Sequence, residues 1–245
     1  MTTASLFRVS ALSVIALCGA VALDQAAPGA LLSEAVAQDK PKKDTRETRR
    51  TPALRNKVYE RLAEAQTLAE AKDYPGASAI LNDMISEDGK RALNSYELAN
   101  VYNLHAFLSY ANEDYPQSLR YYEQVIAQPD IPLAMEINTR FTIAQLYFVQ
   151  ERWQQGIDAL LMWFEMNEKP NAGAYVLLAQ GYYQVKRYDL ALDNVETAIG
   201  MHESEGKLPK EQWYNLARFL YFDKEDFDSA LDVLNTLIIY YPKKQ

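Results

Sequence analysis

The stretch "EDYPQSLRYYEQVI", residues 113–126, places a proline directly before ten residues that have the apolar spacing of a helix. Proline damages a helix everywhere except in its first turn, so Pro116 marks the point at which this helix begins. The same arrangement occurs earlier in "KDYPGASAILNDMI", residues 72–85. A local pattern that occurs twice in one chain indicates a repeat.

Five segments align on this motif: "KDYPGASAIL", "EDYPQSLRYY", "ERWQQGIDAL", "KRYDLALDNV" and "EDFDSALDVL". Each contains a leading aromatic residue, namely Tyr74, Tyr115, Trp153, Tyr188 and Phe227. Three residues later stands a small residue, namely Ala77, Ser118, Gly156, Ala191 and Ala230. Eleven residues after the aromatic stands a large apolar residue, namely Ile85, Ile126, Phe164, Ile199 and Ile238. Nine residues before the aromatic residue, four units have alanine and one has arginine, namely Ala65, Ala106, Ala144, Ala179 and Arg218.

This pattern is the one expected of two helices packed antiparallel. Small residues let the two backbones approach, and large apolar residues fill the groove between neighbouring units. The aromatic residue is expected in the turn between the two helices. Pro75 and Pro116 then lie in the first turn of each second helix, where a missing N–H has no intrahelical partner.

The pattern resembles the tetratricopeptide repeat, a helix-turn-helix unit of about 34 residues. The clearest match is "NAGAYVLLAQGYYQVKRYDLALDNVETAIG", residues 171–200, in which these residues occupy the signature positions: Tyr175, Leu178, Ala179, Tyr182, Ala191 and Ala198. The resemblance implies an all-α fold, a right-handed helical-repeat solenoid of about five helix-turn-helix units. The array is expected over residues 58–245, with units near 58–91, 99–132, 137–170, 172–205 and 211–244.

A narrower resemblance rests on "TRRTPALRNKVYERLAEAQ", "AQLYFVQERW", "NAGAYVLLAQGYYQ" and "YYPKKQ". These segments look like those of exported proteobacterial tetratricopeptide proteins described as TonB-system components. Members of that group continue for several repeats beyond the "YPKK" point, so the chain is expected to be truncated. The last helix, from about Asp228 to Tyr240, would then expose an apolar row that no following helix covers: Leu231, Leu234, Leu237, Ile238 and Tyr241.

The N-terminal residues have the features of an export signal. Arg8 precedes an apolar run of about 15 residues, and "AVA" at residues 35–37 offers a small-x-small cleavage site. Residues 1–37 are therefore predicted to be a cleaved signal peptide, with the cut within residues 22–38, and the mature protein is expected in the periplasm. The alternative is an uncleaved inner-membrane anchor, although the run is shorter than the roughly 20 residues of a membrane span.

Charge divides the rest of the chain into a basic arm and an acidic body. Residues 38–57 carry eight basic and three acidic residues, a net charge of +5, whereas residues 58–245 carry −12. An acidic body repels nucleic acid, and the short arm has no aromatic residues, so a nucleic-acid partner is not expected. The arm is either a solvated linker or a peripheral contact to anionic lipid or to an acidic partner.

Catalytic and metal-binding motifs are not recognisable in the sequence. The two histidines, His105 and His202, lack metal-ligand spacing, and no Walker loop or nucleophile elbow occurs. Cys18, the single cysteine, lies inside the predicted signal peptide. We therefore predict a non-enzymatic protein without a cofactor or a bound metal. The alternative is the superhelical portion of a periplasmic cell-wall lytic enzyme whose catalytic domain is missing from this chain.

The tetratricopeptide resemblance also implies a binding groove, because the first helix of each unit lines a concave surface in that family. The residues at the groove positions are Asn100, Asn103, Phe107, Tyr110, Asn138, Phe141, Gln145, Phe148, Val176, Gln180, Tyr183, Gln184, Gln212, Asn215, Phe219 and Phe222. Amides can pair with a peptide backbone while aromatic rings cover its side chains. Lysine is absent from these positions, so an internal peptide segment is expected rather than a C-terminal carboxylate. In the alternative, the aromatics merely pack and the amides are solvated.

Overall fold

The computed structural model describes residues 52–86, 92–129 and 131–242, which form ten α-helices and contain no strand. The helices are α1 (Asn56–Glu70), α2 (Tyr74–Ser86), α3 (Ser95–Ala111), α4 (Tyr115–Ile126), α5 (Leu133–Val149), α6 (Trp153–Met166), α7 (Ala172–Gln184), α8 (Tyr188–Ser204), α9 (Glu211–Asp223) and α10 (Phe227–Tyr240). The predicted signal peptide 1–37 and residues 38–51 of the predicted linker lie outside the described residues. No helix in these ranges has both the length and the apolar composition that a membrane span requires.

A three-residue turn joins the two helices of all five pairs. Its middle residue adopts a left-handed conformation with φ between 56° and 62°, at Lys72, Glu113, Glu151, Lys186 and Glu225. The next residue donates its N–H to a carbonyl five residues earlier, as Asp73 does to Leu68 at 2.8 Å. Glycine is the usual residue at a left-handed helix end, because it has no Cβ atom to strain. Here lysine or glutamate occupies that position in all five turns, so the backbone hydrogen bonds hold the conformation without glycine.

The aromatic residue, which was expected in the turn, is instead the first residue of the second helix in all five pairs. Three of the five turns end in aspartate, and each side chain accepts a hydrogen bond from a backbone N–H in the new helix. For Asp114 the donor is the N–H of Gln117 at 3.0 Å. Pro116 occupies the first turn of α4, so the prediction that proline begins this helix is confirmed.

Small residues lie at the helix contacts where the repeat pattern placed them. The five residues that follow the turn aromatics by three positions are all buried: Ala77, Ser118, Gly156, Ala191 and Ala230. Ala65, Ala106, Ala144 and Ala179 have no exposed surface. Ser118 donates its hydroxyl to the carbonyl oxygen of Ala106 at 2.8 Å, so these two small positions contact each other directly.

The chain divides into two compact units, with the boundary inside α5 between Thr139 and Arg140. In the first unit, the main core forms where α1, α2 and α3 meet, and it is built from Val58, Leu62, Leu81, Met84, Val101, Leu104 and Leu108. In the second unit, the core where α7, α8 and α9 meet is built from Val176, Ala179, Leu192, Val195, Ala198, Trp213, Ala217 and Leu220. Burial of these side chains is the main stabilising contribution in each unit.

A charged contact holds the start of α1 against α3 in the first unit. Glu97 has no exposed surface, and its carboxylate accepts two hydrogen bonds from the Arg55 guanidinium, at 2.8 and 2.7 Å. The same carboxylate accepts the backbone N–H groups of Arg55 and Asn94 at 3.1 and 3.0 Å. Asn94 caps α3 in return, which completes a capping box. Helix α1 therefore begins at Asn56, two residues inside the predicted linker.

Candidate peptide-binding surface

In the first unit, the predicted groove positions lie on α3 and at the start of α5. Asn100, Asn103, Phe107 and Tyr110 are half-buried, and Asn138 is exposed. Asn100 donates one amide hydrogen to the carbonyl oxygen of Tyr96, one turn earlier, at 2.8 Å. This bond fixes the amide plane and leaves the side-chain carbonyl oxygen of Asn100 able to accept an N–H from a ligand.

In the second unit, the predicted positions lie on α5, α7 and α9. Six of them are half-buried: Phe141, Gln145, Gln180, Tyr183, Gln184 and Asn215. Three are exposed: Gln212, Phe219 and Phe222. Asn215 repeats the arrangement of Asn100, since its amide donates to the carbonyl oxygen of Glu211 at 3.1 Å. Accessible amides and rings therefore occur together on α9.

Two predicted groove residues are core residues instead. Val176 is buried in the cluster of α7, α8 and α9. Phe148 is 5% exposed, and its ring fills the space above two glycines, Gly156 and Gly181. A Cβ atom added to Gly181 would lie 2.6 Å from the Phe148 ring. The prediction that Phe148 and Val176 face a ligand is thus corrected, because the sequence register does not show that glycine opens space for the Phe148 ring.

A repeated ring contact accounts for four of the predicted groove aromatics. The last aromatic of the first helix packs on the turn aromatic five residues later in the pairs Tyr110–Tyr115, Phe148–Trp153, Tyr183–Tyr188 and Phe222–Phe227, with centroids 5.4 to 6.2 Å apart. The pKa of Tyr183 is raised by its burial, with smaller contributions from Asp223 and Tyr188. These rings therefore stabilise the turn, and Phe107, Phe141 and Phe219 are the groove aromatics outside this contact.

The two histidines occupy packed positions. The ring of His105 is buried and stacks on Tyr121 with centroids 4.6 Å apart. Burial lowers the pKa of His105 to about 4, so its imidazole is neutral near pH 7. His202 packs on Trp213 with centroids 4.5 Å apart. Within the described ranges, no cluster of three or more histidine, cysteine or acidic side chains could hold a metal ion.

Solved structures with the same fold include tetratricopeptide-like proteins. MamA AMB-1 matches with a TM-score of 0.59 and 13% identity, over 77% of this chain and 94% of that chain. MamA from Desulfovibrio magneticus RS-1, residue 41 to the end, gives 0.59 and 11% over 76% and 96%. The apo form of RapI gives 0.59 and 11% over 75% and 69%. These matches confirm the predicted all-helical, tetratricopeptide-like repeat fold. No protein-family model and no curated protein sequence matches the chain.

Proposed function

We propose that this protein is a non-enzymatic interaction scaffold that binds a segment of a partner protein on the first helices of its repeats. The observation that carries the proposal is α9, where the amides of Gln212 and Asn215 share a helix with the Phe219 ring, which is 54% exposed. Exposed aromatic rings beside amides suit a peptide, because rings cover side chains while amides pair with the backbone. The tetratricopeptide-like fold supports the same conclusion.

The proposed site of action is the periplasm, as an accessory of a TonB-type energy-transduction complex. Two features of the sequence support this proposal. The first is the apolar run after Arg8 with the "AVA" motif at residues 35–37. The second is the resemblance of several segments to exported proteobacterial tetratricopeptide proteins. The partner would then be a protein of the cell envelope, and the basic arm 38–57 would contact anionic lipid.

Replacing the exposed ring should weaken partner binding without unfolding the protein. We expect Phe219→Ala combined with Gln184→Ala to reduce affinity at least about 30-fold, since an aromatic anchor contributes roughly 2 kcal/mol or more. The measurement is a titration against the partner isolated with the unmodified chain. Met162→Ala is the matched control, because Met162 is an exposed apolar residue of α6 outside the predicted surface. Equal affinity of the double variant and the unmodified chain would contradict the proposal.

Export can be tested separately from binding. Residues 1–50 fused to a reporter that is active only outside the cytoplasm should give activity, and mass spectrometry should find a mature N-terminus near Gln38. Changing residues 35–37 to Leu-Val-Leu should block cleavage, because the protease requires small residues there. A cytoplasmic reporter, or an intact membrane-held product from the unmodified leader, would contradict the predicted cleaved signal peptide.

A further inference from the structure

Charge is distributed unevenly between the two helices of a repeat. Charged residues make up 24% of the chain, yet the 13 residues of α7 contain none. The 17 residues of α3 contain only Glu97, which has no exposed surface and is held by the Arg55 guanidinium. Two internal first helices, one in each unit, therefore present no accessible charge.

The second helices paired with α3 and α7 carry charges on their exposed sides. On α4 these include Arg120 and Glu123, and on α8 they include Asp193 and Glu196. A solvated helix surface normally has this composition, with charged residues on the side that faces water. The contrast indicates that contact with water alone does not determine the composition of α3 and α7.

The accessible residues of α3 and α7 are amides and aromatic rings. These half-buried residues include Asn100, Asn103 and Phe107 on α3, and Tyr183 and Gln184 on α7. Few charged residues together with many aromatic ones is the composition of the central part of a protein–protein interface. The amides can bond a peptide backbone, and the rings can cover uncharged side chains. A charged side chain placed here would lose water without gaining a counter-charge, which costs free energy.

Charged groups do lie beside these two surfaces. The other first helices, α1, α5 and α9, each contain acidic and basic residues, and Lys186 and Arg187 lie in the turn that follows α7. Asp223, at the end of α9, contributes to the raised pKa of Tyr183. The Arg218 guanidinium stacks on the ring of the next residue, 4.8 Å from its centroid. The absence of accessible charge is therefore a property of α3 and α7 and not of every first helix.

We propose that the partner segment is uncharged where it contacts α3 and α7, with apolar or small polar side chains against the rings and its backbone paired with the amides. Charged residues of the segment then lie beyond these two helices, beside groups such as Asp223 or Arg218. The inference rests on the peptide-binding function proposed above and adds the chemical class of the ligand. Binding should depend little on salt, although residues 58–245 carry a net charge of −12.

The first test selects ligands from a displayed library of short random peptides, with the full chain as the target. We expect charged residues to be depleted at least about threefold in the selected peptides relative to the unselected library, because each would lose water without a partner. Asn103→Lys with Gln184→Lys adds a base to each surface and should enrich peptides that contain aspartate or glutamate. Gln124→Lys with Gln154→Lys, at exposed amides of α4 and α6, is the matched control and should select the same peptides as the unmodified chain.

Titrations then measure the cost of a charge directly. Each residue of a selected peptide is replaced in turn by lysine and by glutamate. At the positions that contact α3 or α7, both replacements should lower the affinity at least about tenfold. The affinity of the unreplaced peptide should change less than about twofold between low and high salt. Equal affinity of the lysine, glutamate and unreplaced peptides at every position would overturn the inference.

The outcomes separate this inference from the proposed function. If the Asn103/Gln184 variant loses the selected peptides but those peptides retain charged residues at the library frequency, the inference fails and the proposed function stands. If only Phe219→Ala weakens binding, the segment contacts α9 alone, with the same consequence. Binding that neither variant weakens would overturn both proposals. Circular dichroism and thermal unfolding check that each variant is folded.

Discussion

Phe148→Ala is expected to destabilise the protein by about 3–5 kcal/mol, the cost of removing a buried aromatic side chain and leaving a cavity. The ring is buried in the second unit between Gly156 of α6 and Gly181 of α7. Neither glycine carries a side chain that could fill the space after the ring is removed. The measurement is urea unfolding, in which the midpoint should fall while the slope with denaturant stays constant.

A matched control exists at the same register of another repeat. Phe222 also packs on its turn aromatic, but it is 61% exposed, so Phe222→Ala should cost less than about 1 kcal/mol. If Phe148→Ala costs no more than Phe222→Ala, the assignment of Phe148 to the core is wrong. Gly181→Ala tests the same contact from the other side, because its new Cβ atom would lie 2.6 Å from the ring. Phe148→Leu should recover part of the loss caused by Gly181→Ala, since the two residues share one space.

Glu97→Ala should destabilise the first unit by about 3 kcal/mol, the lower end of the cost of breaking a buried ion pair. The variant loses the contacts to the Arg55 guanidinium and leaves the N–H groups of Arg55 and Asn94 without their acceptor. We expect a loss of unfolding free energy at the lower end of this range, because the Arg55 side chain is partly exposed and water can solvate it once the ion pair is broken. Glu64→Ala, an exposed glutamate on α1, is the control and should be nearly neutral.

The contribution of Glu97 should also depend on pH. Burial alone would raise its pKa, but the hydrogen bonds from Arg55 and Asn94 and the charge of Arg55 together lower the pKa below 4.5. A carboxylate with a lowered pKa in the folded state stabilises fully above its unfolded pKa and loses that contribution as pH falls through the folded value. The difference in unfolding free energy between the unmodified chain and Glu97→Gln should therefore be largest near pH 7 and shrink below pH 4.5. A difference that grows on acidification would contradict this account.

The repeat pattern predicted the fold because it depends on local spacing. The aromatic at each turn, the small residue three positions later and the alanine nine positions before are properties of the sequence register, and the small residues are indeed buried. The start of the helix at Pro116 could be predicted because a helix tolerates proline only in its first turn. These features require no knowledge of distant contacts.

Three features were not predicted from the repeat pattern, and two of them depend on tertiary contacts. Glu97 meets Arg55 across 42 residues, and capping signals alone do not indicate such a pair. The left-handed turn position is filled by lysine or glutamate rather than by glycine, so composition gives no sign of it. The Phe148 ring is buried because Gly181 has no side chain to occupy that space. The repeat pattern does not show that these two residues are in contact.

The exposed residues of the candidate surface illustrate the same limit for function. Register placed Phe219 and Asn215 on one helix, and the structure leaves both accessible. Register also placed Tyr183 of α7 and Phe222 of α9 at groove positions, although both rings pack on turn aromatics. Phe219 is thus exposed without packing on a turn aromatic, whereas Tyr183 is half-buried against one.

Photo-crosslinking in the intact cell can show whether the first helices bind a segment of a partner protein. A photoreactive phenylalanine is placed at Gln184, at Phe219 or, as a control, at Met162, and the crosslinked peptides are identified by mass spectrometry. We expect positions 184 and 219 to crosslink to the same internal segment of one partner and position 162 not to crosslink to it. Adducts of equal yield and identity at all three positions, or none at 184 and 219, would contradict the proposed binding.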